Sequence, residues 1–97
     1  MQTLDNITTL PLNQIAQIIM RDWPAGMKTG VPTPFGNMGE SPAKPYIQAM
    51  LQMESIHESY GLDDGHMIVR YFLGNAASWR GETARTVKAE LKRRLAA

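Results

Sequence analysis

His57 and His66 are the only two histidines of this 97-residue chain, and imidazole is the side chain whose ordinary pKa suits proton transfer near neutral pH. Ser55 and Ser59 lie close to His57 in sequence, which raises the chemistry of an activated hydroxyl. A nucleophile of that kind needs a base held beside it and a third group to orient the base. Proximity along the chain does not supply that geometry. Asp63, Asp64 and His66 raise a metal site, but their spacing matches no established ligand pattern. One of the two aspartates is more simply a helix cap. There is no Walker A loop and no dinucleotide fingerprint. The chain has no cysteine, which excludes thiol catalysis, disulfides and cysteine-based zinc sites. The residues therefore predict no enzyme, no cofactor and no metal.

What remains is the chemistry of recognition. Residues 1–78 hold four basic side chains against seven acidic ones, a balance of −3. Residues 79–97 hold six basic against two acidic, a balance of +4, and together these give the net +1. Arg85, Lys88 and Lys92 repeat at intervals of three and four, one face of a helix, with Arg80 just before them. That face either meets an anionic partner or is ordinary solvated helix whose cations complement the helix dipole. The sequence pI of about 8.1 is low for a nucleic-acid footprint, which usually exceeds about 9. Seven methionines are many for this length. Methionine fills cores and also adapts to irregular partner surfaces. Met50 and Met67 read as core. Met27 and Met38 lie in a long Pro/Gly-rich segment, where with Phe35 they offer an adaptable contact surface.

Four helical stretches position these residues. The first starts near Pro11, with Thr9 as its cap, carries Leu12, Ile15, Ile19 and Trp23 on one side, and stops at Pro24. Residues 24–41 form a long connection, of the kind that is usually functional or disordered. Its apolar members Val31, Phe35 and Met38 are either pinned to the body or offered to a partner. A second helix starts at Ser41-Pro42, runs to about His57 or Ser59, and ends in a left-handed cap at Gly61 with Leu62 packing behind it. A third follows Asp63 or Asp64; Met67, Ile68, Val69, Tyr71, Phe72 and Leu73 make it apolar almost all round and hence central. The fourth starts between Ser78 and Glu82, with Glu82 in reach of Arg85 and Glu90 in reach of Arg94.

The expected fold is all-α: one domain over 1–97, a compact four-helix bundle or orthogonal array with a long loop between the first two helices and a flexible arm at 1–10. Ile19, Trp23, Tyr46, Met50, Ile68, Phe72, Val87 and Leu91 are the expected core. No apolar run reaches the length of a membrane span, and no secretory signal is recognisable at the N-terminus, so the expected location is the cytoplasm.

The stretch Lys44-Pro45-Tyr46-Ile47-Gln48-Ala49-Met50, followed by Tyr71 through Arg85 with its Trp79-Arg80-Gly81-Glu82 core, resembles a family of small proteins of bacterial mobile elements and phages. The resemblance spans roughly residues 43–95. It implies a small protein acting in the cytoplasm of a bacterial host, and small mobile-element proteins often bind host machinery, including defence complexes. The expected function is therefore a non-enzymatic protein that binds a host protein or complex and inhibits a host defence system, through Phe35, Met38, Arg80, Arg85, Lys88 and Lys92. The alternative is a helix-turn-helix-like DNA-binding protein. It would turn Trp79, Arg80, Thr83 and Arg85 toward base edges and the basic last helix toward phosphates. In Trp79-Arg80-Gly81-Glu82, Trp79 either packs onto the helices or is exposed with Arg80 as a binding hot spot. Gly81 is expected to permit close approach.

Overall fold

Proline at position 11 and the spacing of Leu12, Ile15 and Ile19 produce the first helix. In the computed structural model, which describes residues 4–97, it is α1, Leu12–Asp22, with Leu12, Ile15, Ala16 and Ile19 buried. Pro24 stops it and opens a 3-10 turn, Pro24–Met27. Two strands follow, β1 (Val31–Thr33) and β2 (Gly36–Met38), paired antiparallel with Val31 opposite Met38 and Thr33 opposite Gly36. Helix α2 covers Lys44–Leu51. A second antiparallel pair, β3 (Ser59–Tyr60) and β4 (Asp63–Asp64), leads into α3, Gly65–Gly74. Helix α4, Glu82–Ala96, closes the described chain.

The fold is thus mixed, 57% helical and 11% strand, with four α-helices and two small antiparallel sheets among the described residues, and the all-α bundle or array is corrected. Short turns caused the difference. Thr33-Pro34-Phe35-Gly36 folds the middle of the long connection into a hairpin, since proline suits the first turn position. Gly61-Leu62 makes a two-residue hairpin turn, with Gly61 at φ +65°. Glycine at the first central position is the signature of such a turn. Gly61 therefore does not cap the second helix. That helix ends at Leu51, well short of His57, and Leu62 projects fully into solvent rather than packing behind a cap.

Other expectations also change. The N-terminal arm is a 3-10 helix over Leu4–Thr9, pinned by buried Ile7. Residues 1–3 lie outside the described residues. Thr9 does not cap α1; its hydroxyl donates to the Asn6 carbonyl. The cap of α3 is Asp64, whose carboxylate accepts from the Met67 amide at 2.9 Å. Helix α3 is not apolar all round in its setting. Ile68, Val69 and Phe72 face inward, while Met67, Arg70 and Tyr71 are exposed. Met67 is therefore not core.

One cluster joins all four helices. It includes Ile15 and Ile19 from α1, Ile47 and Met50 from α2, Ile68 and Phe72 from α3, and Val87 and Leu91 from α4. Six of the eight expected core residues are buried. Trp23 and Tyr46 lie only partly buried at its margin. Met53, Ile56 and Trp79 complete the core from outside the helices. No helix among the described residues is long and apolar enough to cross a membrane.

Candidate functional site

Hairpin β1–β2 is built from its turn outward. The Thr33 hydroxyl accepts from the Phe35 amide at 3.1 Å and donates to the Gly36 carbonyl. Pro34 fixes its own φ between them. The tip is therefore held by one side chain and one ring, and Phe35 stands on it 97% exposed. Val31 and Met38, opposite each other across the ladder, are each 65% exposed. Directly paired residues project to the same face of a two-stranded sheet, so two apolar side chains stand together below a third at the tip. At its base the hairpin is tied to the body: the Ser41 amide donates to Lys28 O at 2.9 Å, and Lys44 Nζ donates to Thr29 Oγ1 at 2.8 Å. Of the two alternatives for Val31, Phe35 and Met38, the structure shows them outward. Met27, by contrast, packs against the core and is not part of this surface.

The four cations expected to act with the hairpin are not equivalent. Arg80, Arg85 and Lys92 are exposed, with no carboxylate within ion-pair distance among the described residues. Glu82 does not reach Arg85. Lys88 is only partly exposed. Its ammonium donates to the carbonyls of Ala76 and Trp79, both at 2.7 Å, and lies 5.9 Å from the Trp79 ring centroid. Burial holds the Lys88 pKa below its ordinary value, and the nearby charges of Lys92 and Arg80 lower it further. Lys88 is thus a tie across the α3–α4 connection rather than a free surface charge.

Trp79 resolves to the packed alternative. It is 2% exposed, stacked on Trp23 at 5.9 Å with 9° between planes, and meets Phe72 edge-on at 6.3 Å. Its indole Nε1 donates to Asp22 at 2.8 Å. Arg80 points the other way, into solvent. Gly81 adopts φ +113°, and nothing lies within 4 Å of where a side chain would begin. Glycine is there for its backbone angle, not for close approach. Residues 75–81 make the link between α3 and α4 longer than the 3–4-residue turn of a helix-turn-helix, and Trp79 cannot face bases from its buried position.

Glu90 organises the other end of α4. It is buried, and Arg93 and Arg94 both reach its Oε2 at 2.6 Å. Arg94 also donates to the carbonyls of Ile7 and Leu10, at 2.8 and 2.9 Å, which fastens the N-terminal 3-10 helix to α4. The hydrogen bond from Arg93 holds the Glu90 pKa below the usual carboxylate value against the opposing effect of burial, with Arg94 adding to it. A shallow groove lined by Ile7, Arg85, Ala89 and Arg93 runs beside this clamp.

The histidines meet each other. Their rings lie edge to face at 5.4 Å. Ser55 Oγ accepts from the His57 backbone amide at 3.1 Å, so it serves the turn. Glu58 does likewise, accepting from the amides of Glu54 and Ser55. No group of three or more potential ligands that could hold a metal occurs among the described residues.

The site is therefore a protruding apolar hairpin on one part of the molecule and a cationic helix face on another. No family model matches the chain, and no significant match appears among curated proteins or solved structures.

Proposed function

We propose that this is a non-enzymatic binding protein that docks on another protein through hairpin β1–β2. The observation that carries the reading is Phe35, 97% exposed on a turn fixed by Thr33 and Pro34, with Val31 and Met38 beneath it. A monomer gains nothing from holding a phenylalanine in water, because burying such a side chain is worth about 1.5–3 kcal/mol. A pre-ordered aromatic loses little conformational freedom on binding, which is what a hot-spot residue needs. The matching partner surface is an apolar pocket that admits the ring, with a flat apolar rim for Val31 and Met38.

The setting we propose is the cytoplasm of a bacterial host, with a phage or mobile-element origin and a host defence complex as the inhibited target. The resemblance over residues 43–95 supports that origin, and the hairpin, which lies outside that span, supplies the contact. Immobilised wild-type protein and a Phe35→Ser, Met38→Ser double variant, both exposed to host lysate, provide the test. A protein partner held by the first and lost by the second is the expected result. A partner retained equally by the double variant removes the hairpin from the interface.

A further inference from the structure

Helix α4 carries a second surface that the hairpin does not explain. Arg85, Ala89, Lys92 and Ala96 fall within a narrow angular sector of the helix, and all four are exposed. Arg80 adjoins this row at its N-terminal end, and Lys88 is fixed at its margin by two carbonyls. No carboxylate pairs with Arg80, Arg85 or Lys92 among the described residues. Asp22 accepts from Trp79, Glu90 is taken by Arg93 and Arg94, and Glu82, exposed in the first turn of α4, forms no ion pair. Arg80, Arg85 and Lys92 thus stand without an ion-pair partner, and beside them the Lys88 pKa is lowered first by burial and then by the charges of Lys92 and Arg80.

We propose that this face of α4 binds the phosphate backbone of duplex nucleic acid, without reading its sequence. An acidic protein surface fits less well. The row's apolar members are Ala89 and Ala96, too small to fill a pocket, so it lacks the aromatic or aliphatic anchor around which the core of a protein–protein interface is built. Phosphate contact needs no apolar anchor. Arg85 and Lys92 are two turns apart, about 10 Å along the helix axis. That length of duplex carries roughly six charges, so a row of cations finds phosphates without a required register. Between the cations the row offers nothing to base edges, because Trp79 is buried and Ala89 and Ala96 carry no hydrogen-bonding side chain, so Arg80, Arg85 and Lys92 are assigned to phosphates. The acidic balance of residues 1–78 turns the rest of the molecule away and leaves α4 as the facing side. The inference is independent of the hairpin reading.

The test is fluorescence anisotropy of a labelled mixed-sequence DNA duplex titrated with the full-length protein between 50 and 200 mM salt. With Arg80, Arg85 and Lys92 each meeting one phosphate, the log–log slope is expected near −2.7, a loss of about 40-fold across that range. Arg85→Ala should reduce the slope to about −1.8, a loss of about 12-fold. A duplex of scrambled sequence should give the same values. The Phe35→Ser, Met38→Ser variant should bind the duplex as wild type does, which keeps this result separate from any failure of the hairpin. Poly-glutamate, matched in charge and displacing the duplex at lower concentration than unlabelled duplex does, would assign the face to acidic proteins and overturn the proposal. So would absence of duplex binding at 50 mM salt, or binding unaltered in an Arg80→Ala, Arg85→Ala, Lys92→Ala variant.

Discussion

Lys88 places its ammonium against the carbonyls of Ala76 and Trp79, where the chain turns from α3 into α4. The Ala76 carbonyl also accepts from the Trp79 backbone amide at 3.0 Å, and the lysine adds a charged donor to both carbonyls of the link. Lys88→Met keeps the stem and removes the donor. It should cost about 1.5–3 kcal/mol, the range for hydrogen bonds to a charged group, and lower Tm by roughly 4–8 °C per kcal/mol in a domain of this size. A thermal melt of the two proteins checks it, and an unchanged Tm would show that neither carbonyl depends on the lysine. This role was not legible in the sequence. The spacing of Arg85, Lys88 and Lys92 describes one helical face, and nothing in that spacing distinguishes the lysine that folds back from the two cations that do not. Trp79 was legible as a packing residue, because a tryptophan beside a helix start usually finds the core. Its bond to Asp22 was not, since the two residues are 57 positions apart.

At the scale of elements, α4 and the N-terminal 3-10 helix are joined through Glu90, and that junction titrates. The folded-state pKa of Glu90 lies below its unfolded value. The stability it contributes is therefore fully present above the ordinary glutamate range and is lost as pH falls through that range toward the lower folded value. Glu90→Gln should be less stable at neutral pH and should show a flatter loss of stability between about pH 5 and 3. Denaturant melts across that range measure it; parallel curves for the two proteins would mean that Arg93 and Arg94 do not stabilise the carboxylate. Hairpin β1–β2 behaves in the opposite way. Its residues touch little of the core, so replacing 31–38 by a short glycine-serine link should leave Tm within a few degrees while abolishing partner binding. The helices were legible because their apolar spacing persists over several turns, Leu12-Ile15-Ile19 and Ala84-Val87-Leu91 being examples. The strands were not. Three residues with two or three faces exposed carry no alternation to read, and Pro32 within β1 argues against a strand unless it lies at an edge. The turn residues Pro34-Phe35 and Gly61-Leu62 carry the available signal, and the same residue types also suit a loop and a helix cap.

Across the whole molecule, one core supports four helices, and Phe72 occupies its middle. Its ring is fully buried, meets Trp79 edge-on, and through Trp79 reaches the Trp23 stack at the end of α1. A domain of this length has a total stability of roughly 5–15 kcal/mol. Removing a buried phenylalanine costs about 3–5 kcal/mol, from lost transfer energy and from the cavity left behind. Phe72→Ala should therefore consume a fifth or more of the stability, and the damage should be shared by elements that Phe72 does not touch in sequence. Hydrogen exchange distinguishes this from a local effect. If the core is one cooperative unit, amides in α1 and α4 should lose protection together with those in α3. The hairpin amides of 31–38 should be nearly unaffected, because an exposed hairpin with little buried surface is expected to open locally rather than with the core. Loss of protection confined to α3 would mean that the four helices are not held by a common core. The free-standing hairpin would then have no rigid body to present it.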